Sequence, residues 1–232
     1  MALMREEQSL AAKLNWLRAG VLGANDGIIS TAGVVMGVAA TGAALAEIAT
    51  AGMAAVTAGA VSMALGEYVS VSAQRDTERA MIEQHAEEVR ETPHDLKADI
   101  VSTLQKRGLN PETARVAAEE LAAGDLLHAH LMVHHNVNSR ELTNPWAAAI
   151  SSAVSFLLGS IFPLVAVMLA PHGWRGGITL VATVVALSVT GGISAVLSEG
   201  SATRSVVRLI VGGALAMSIT YGLGYLFGEV AL

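Results

Sequence analysis

A single acidic residue, Asp26, lies inside an apolar segment long enough to cross a membrane, residues 16–42. If Arg18 is at the membrane surface, Asp26 lies about 12 Å deep at a helical rise of about 1.5 Å per residue, within a hydrocarbon core about 30 Å thick. A carboxylate at this depth is costly and by default marks an ion or proton pathway. The other interpretation, a helix cap in a soluble protein, is disfavoured because more apolar segments of membrane length follow.

The second apolar segment, residues 48–71, contains another acid, Glu67, with Met63 one helical turn before it on the same face. Measured back from Arg75, Glu67 is also about 12 Å from the interface, the predicted depth of Asp26. Two carboxylates and a thioether suit the transit of a divalent transition metal ion, since sulfur adds preference over Mg2+ or Ca2+. Because two nearby carboxylates repel, at least one should hold a proton when metal is absent. Alternatively, Met63 only fills space and Glu67 reaches the membrane surface.

Residues 76–143 are polar, with 13 acids and six of the seven histidines of the chain. Their candidate metal ligands fall into two groups. The first is an acidic stripe with a four-residue period, Glu83, Glu87 and Glu91, with His85 and the further candidate Glu88 beside it. The second lies in the run HAHLMVHH: Met132, His134 and His135. Carboxylate, imidazole and thioether groups from two helices suit Fe2+ or Mn2+, whereas an acidic stripe alone is usually a solvated helix face.

Proline, glycine and asparagine residues divide this polar stretch into helices. Breaks are predicted at Pro93 and Gly124. Gly108 is predicted to follow a helix C-terminus, and Asn110 to cap the next helix with Pro111 at its first position. The stretch therefore reads as a small helical insert.

The composition is that of an integral membrane protein, because 53% of the 232 residues are hydrophobic and 15% are charged. Five membrane-spanning helices are predicted at residues 16–42, 48–71, 146–170, 177–197 and 206–230. Every Lys and Arg except Arg175 then lies on one side, which the positive-inside rule assigns to the cytoplasm. The N-terminus and the insert are therefore predicted to be cytoplasmic.

The predicted fold class is thus all-α, with five spans and a cytoplasmic helical metal-binding insert between spans 2 and 3. Residues 1–75 hold a surface helix and spans 1 and 2, residues 76–143 the insert, and residues 144–232 spans 3 to 5. Glycine pairs four residues apart within the spans indicate close helix packing: Gly23 and Gly27, Gly33 and Gly37, and Gly224 and Gly228.

Several function classes are disfavoured. The chain has no cysteine, so thiolate metal sites are not available, and its net charge of -6 argues against nucleic acid as a partner. A membrane di-iron oxidase would need Glu-x-x-His motifs on facing helices, whereas the sequence has a single such spacing, Glu91 to His94, with the helix-breaking Pro93 inside it. We therefore expect a protein that is not an enzyme.

Two segments resemble the signature segments of the vacuolar iron transporter family. They are NDGIIST at residues 25–31, and SM with GEYVS at residues 62–63 and 66–70. The resemblance covers nearly the whole chain. It implies a homodimeric, lipid-embedded, proton-coupled exporter of Fe2+, often also of Mn2+, with no permanently bound cofactor. It places Asp26 and Met63 at the family's membrane metal positions.

The same resemblance places Glu67 on the acid of the second motif. In the family, the insert binds metal through glutamates of its first helix and a Met-Met-x-x-Glu segment of its last helix. This chain departs there, because the corresponding segment reads MVHHN from Met132 and lacks the second Met and the closing Glu. The alternative function is a membrane-anchored metal sensor or store, in which Asp26 could be neutralised without consequence.

Overall fold

The computed structural model describes residues 2–139 and 142–230, with side chains described within 16–139 and 142–228. The described residues form helices and no strand. In chain order the helices are α1 Ala2–Ala40, α2 Leu45–Glu91, α3 Pro93–Lys106, α4 Pro111–His130, α5 Pro145–Leu169, α6 Arg175–Leu197 and α7 Ala202–Val230. One turn of π-helix, Leu131–His135, follows α4, and a 3-10 turn, His172–Trp174, precedes α6.

Five of these helices, α1, α2, α5, α6 and α7, are long and apolar enough to cross a membrane. The predicted all-α class with five spans is confirmed. The chain forms two compact units. The membrane unit contains Lys13–Tyr68 and the chain from Trp146 onward, and the insert unit contains Val69–Pro145 with the N-terminal end of α1.

Helix α1 is the centre of the membrane unit. Its Val35 shares a buried cluster with Ile48 of α2 and Val167 of α5. Other faces of α1 pack through Ile28 against Leu187 of α6. Further along, Ala32 and Met36 of α1 cluster with Met217 of α7. These contacts with α2, α5, α6 and α7 fix the position of α1, and therefore of the polar residues it carries, within the membrane unit.

Small residues bring α1 against α5. The Ser160 hydroxyl of α5 donates a hydrogen bond to the carbonyl oxygen of Gly27 across 3.2 Å. A Cβ added at Gly27 would overlap the Phe156 carbonyl, and one added at Gly23 would overlap the Ser152 carbonyl. Membrane helices associate through such close backbone contacts, which only small residues permit.

Gly27→Ala should therefore destabilise the membrane unit, because the new methyl group would force α5 away from α1. Overpacking of this kind typically costs about 1–3 kcal/mol. Thermal unfolding of the purified protein in detergent would measure the loss. Gly222→Ala in α7 is the matched control, since a Cβ there meets nothing within 4 Å. Equal melting temperatures for the two variants would contradict the close contact.

The insert unit is organised around α3 and α4, which share a core of Ile100, Ala118 and Ala129. The predicted caps are confirmed: Gly108 has φ +102°, and the Asn110 side chain accepts a hydrogen bond from the Thr113 backbone N–H across 2.8 Å. The helix boundary predicted at Pro93 is also confirmed, since α3 begins there.

The break predicted at Gly124 occurs one residue later. Asp125 has non-helical backbone angles within α4. Its carboxylate accepts a hydrogen bond from the backbone N–H of His128 across 3.0 Å, as an N-cap does. The chain therefore starts a new helical turn at Asp125, and this turn carries the histidine-rich run.

Candidate metal centres

Asp26 occupies the open stripe of α1. Among the described side chains from Leu17 to the end of this helix, only those of Arg18, Leu22 and Asp26 are exposed, each one turn after the last. The remaining side chains of that range are buried or half-buried against other helices. The structure thus places the acid in a candidate span, on the face of α1 that its own chain leaves uncovered.

Asn25, the residue before this acid, holds a second polar group in the same span. Its side-chain Oδ1 is buried and has no hydrogen-bond partner among the described residues. The Ser30 hydroxyl donates to the backbone carbonyl of Asp26, so it is engaged with the helix itself. The Asn25 oxygen is therefore an additional potential oxygen ligand that the sequence alone did not single out.

Met63 and Glu67 are both half-buried on α2, one turn apart. Within the described part of one chain, Asp26 and Glu67 belong to no group of three His, Asp or Glu side chains that could hold a metal ion together. The assignment of Asp26, Met63 and Glu67 to a metal pathway stays a prediction.

The structure distinguishes the three acids of the stripe from Glu88 beside them. Glu83, Glu87 and Glu91 are exposed and, among the described residues, enter no group of three ligating side chains. Glu88 is half-buried, and its Oε2 lies 2.6 Å from Nδ1 of His85. As metal ligands, these four glutamates also remain predictions.

The structure instead brings together a histidine cluster, defined here as His85, His130 and His135. One nitrogen of each ring lies within 4.8 Å of the corresponding nitrogens of the other two. His130 is only 2% exposed, and the side chain of His85 is 12% exposed. His134 stacks on His130 with ring centroids 5.3 Å apart and an interplanar angle of 8°. Met132 is half-buried in the same π turn.

The π turn at Leu131–His135 explains why His130 and His135 meet. In an α-helix, residues five apart point about 140° away from each other around the axis. The i to i+5 hydrogen bonding of a π turn brings such residues closer to one line, and π turns often occur at functional sites. The turn ends at Asn136, which adopts left-handed backbone angles.

Two contacts hold this turn in place, one with α3 and one with Arg107, the residue that follows α3. The Arg107 guanidinium donates a hydrogen bond to the Val133 carbonyl across 2.6 Å. The hydroxyl of Thr103 lies 3.0 Å from Nδ1 of His134. The histidine-bearing turn is therefore anchored to the core of the insert unit.

Burial lowers the pKa of His130, and the neighbouring rings of His85, His134 and His135 lower it further. Burial, followed by the charges of His85 and His134, likewise lowers the pKa of His135. Both effects disfavour the imidazolium form, so these rings are neutral at neutral pH. A neutral imidazole keeps one nitrogen lone pair free for a metal ion.

Sequence reasoning placed His135 among the ligands but assigned none to His85 or His130. His85 was visible only as a neighbour of the acidic stripe, at i+2 from Glu83. A four-residue period selects the glutamates and passes over it. The available signal was a histidine on α2 together with the histidine run, but their meeting depends on tertiary packing.

Comparison with known proteins agrees with this architecture. Residues 17–225 match a model described as the VIT family. The chain is similar to the vacuolar iron transporter of Acanthamoeba castellanii, 36% identical over 223 residues that cover 95% of this chain and 82% of that protein. It is also similar to vacuolar iron transporter homolog 5 of Oryza sativa subsp. japonica, 35% identical over 227 residues, 97% of this chain and 87% of that protein.

A third relative is vacuolar iron transporter homolog 2.1 of Arabidopsis thaliana, 33% identical over 229 residues that cover 98% of this chain and 89% of that protein. These matches extend across all five candidate spans and the insert, rather than over one motif. They confirm the predicted resemblance. The chain therefore belongs to the VIT family.

Proposed function

We propose that this protein exports Fe2+, and also Mn2+, from the cytoplasm across the membrane in exchange for protons. The observation that carries the proposal is the exposure of Asp26 on the open stripe of α1 within a candidate span. An acidic side chain inside a membrane is energetically unfavourable, so its presence there indicates a role in transport. The names of the similar proteins, a vacuolar iron transporter and vacuolar iron transporter homologs, support the same substrate.

The transporter works as a homodimer. An acid facing lipid is unfavourable, so the open stripe of α1 needs a polar neighbour or a water-filled path. A second copy would supply that neighbour. One chain contributes two carboxylates and one thioether through Asp26, Glu67 and Met63, and two copies around an axis contribute twice as many. Such a set matches the oxygen and soft-sulfur ligands of a divalent transition metal ion.

Proton exchange follows from the same ligands. Carboxylates that share a desolvated site cannot all carry charge, so at least one holds a proton until a metal ion arrives. The divalent ion displaces that proton, and a proton from the opposite side later helps to displace the ion. Metal and protons therefore move in opposite directions, and no resident cofactor takes part.

The orientation follows from charge. With the N-terminus and the insert in the cytoplasm, thirteen of the fourteen Lys and Arg residues lie on that side and only Arg175 on the other. Export then means movement away from the insert side, in either an inner membrane or a vacuolar-type membrane.

Flux of Fe2+ into proteoliposomes containing the purified protein tests this function. We expect rapid, protein-dependent uptake of Fe2+ and of Mn2+, measured with a metal-quenched dye in the lumen. The competing function is a membrane-anchored sensor or store, which the histidine cluster favours. That function predicts metal binding to the protein with uptake no faster than into empty liposomes, and this result would refute transport.

A further inference from the structure

We propose that His85, His130 and His135 form a separate metal site in the insert unit. The site binds one divalent ion through three imidazole nitrogens, and it prefers Zn2+, an ion of intermediate softness, to Mn2+. The site is distinct from the membrane residues and from the acidic stripe. This site does not depend on the proposed transport function, because it would bind metal whether or not the spans conduct metal.

The spacing of the three rings suits one ion. Zn2+ bound by imidazole at about 2.0–2.1 Å in tetrahedral geometry places the ligand nitrogens about 3.4 Å from one another. In the structure the three candidate nitrogens all lie within 4.8 Å of each other. To bind one ion, the rings would rotate about their side-chain torsion angles so that these nitrogens come closer together.

The His85 ring is oriented by a contact outside the three-histidine set. The Glu88 carboxylate engages Nδ1 of His85 at 2.6 Å, which leaves Nε2 of His85 as the ligand atom. A carboxylate behind a histidine is the usual arrangement at zinc sites, where it sets the ring orientation and raises its basicity. Glu88, which lies off the line of the exposed Glu83, Glu87 and Glu91, is half-buried.

His130 provides a second, independent observation that points to a bound metal ion. Its ring is 2% exposed and hydrogen-bonds to the backbone of Leu96, yet its Nδ1 is buried with no hydrogen-bond partner among the described residues. A buried polar atom without a partner is rare in folded proteins. A metal ion held between the rings would satisfy this nitrogen.

The type of donor atom determines which metal ion the site prefers. Among the described residues, the group contains three nitrogen donors and no carboxylate. Affinity of such ligands rises from Mn2+ through Fe2+ to Cu2+ and stays high for Zn2+, whereas Mn2+ prefers oxygen ligands. Three protein ligands leave a fourth position open, as in catalytic rather than structural zinc sites. His134 is held by Thr103 through Nδ1 and stacks beside His130, so it lies next to the set.

The test is metal titration of the purified full-length protein in detergent, with calorimetry and a competing chelator. We expect a Zn2+ site at least about 100-fold tighter than Mn2+ binding at the same site. The double variant His85→Gln/His135→Gln should lose that Zn2+ affinity by at least about 100-fold. X-ray absorption of the Zn2+-loaded wild type should show three imidazole ligands, and the double variant should lose this signature.

Two matched controls sharpen the test. His94→Gln/His172→Gln removes two exposed histidines outside the cluster, and it should bind Zn2+ as the wild type does. Glu83→Gln/Glu87→Gln/Glu91→Gln removes the exposed stripe while leaving Glu88, and it should also retain the site. Circular dichroism and gel filtration establish that each variant is folded.

The positioning role of Glu88 has a readout of its own. Glu88→Gln should weaken Zn2+ binding about 10- to 100-fold, the usual effect of losing a partner behind a ligating histidine, while the three-imidazole absorption signature remains. Unchanged Zn2+ affinity in folded His85→Gln/His135→Gln protein would overturn the site. Loss of Zn2+ binding in the exposed-stripe variant instead would assign the metal to the glutamates. Both results concern metal binding in the insert unit, so neither decides whether the spans transport metal, which the flux experiment tests separately.

Discussion

Asp26→Asn should abolish Fe2+ flux, reducing it by at least about 100-fold, while the protein stays folded. The substitution keeps the size of the side chain and removes only its charge. With a metal ion bound, Asp26 would be one member of a desolvated charge pair, and removing one member of such a pair costs about 3–5 kcal/mol, where each 1.4 kcal/mol is about tenfold. A divalent ion crossing the span would then be under-neutralised. Initial uptake rates into proteoliposomes measure the effect.

Asp99→Asn is the matched control, because Asp99 is an exposed acid of α3 in the insert unit. It should transport at the wild-type rate. Gel filtration should give the same elution volume for both variants and the wild type. Wild-type flux through well-folded Asp26→Asn protein would refute the pathway and favour the sensor or store.

A lumen more acidic than the bath should accelerate metal uptake into proteoliposomes whose protein has the insert facing outward. Protons leaving the lumen would then help to displace the metal ion from the site. One pH unit corresponds to about 1.4 kcal/mol per proton, so each exchanged proton adds about tenfold to the metal accumulation reached at equilibrium. Metal uptake measured at several imposed gradients would give this dependence.

The same exchange should be visible from the proton side. A pH-sensitive dye trapped in the lumen should report a rise in pH as Fe2+ enters, because each ion drives protons outward. Liposomes containing Asp26→Asn protein provide the control for leakage and should show neither signal. Metal entry with no proton movement, and with no response to an imposed gradient, would identify a uniporter and refute the shared-proton mechanism.

The five candidate spans, the acid within the first of them and the caps of the insert could be predicted from the sequence because each depends on local properties of the chain. An apolar run of membrane length needs no knowledge of its neighbours to be recognised. The Asn110 cap and the positive φ of Gly108 also follow from short-range sterics and hydrogen bonding. The four-residue spacing of Met63 and Glu67 likewise places them on one face of a helix wherever that helix lies.

Only the tertiary structure determines which histidines form the cluster. His85 comes from α2, whereas His130 and His135 follow a kink at Asp125 and are aligned by a π turn. A break near Gly124 could be predicted, but the extra residue in the π turn has no periodic signature, so an α-helical interpretation sets the two later histidines apart. The packing that anchors the turn to α3 then determines which donors meet. Long-range contacts of this kind depend on how helices pack, and residue spacing alone carries no information about them.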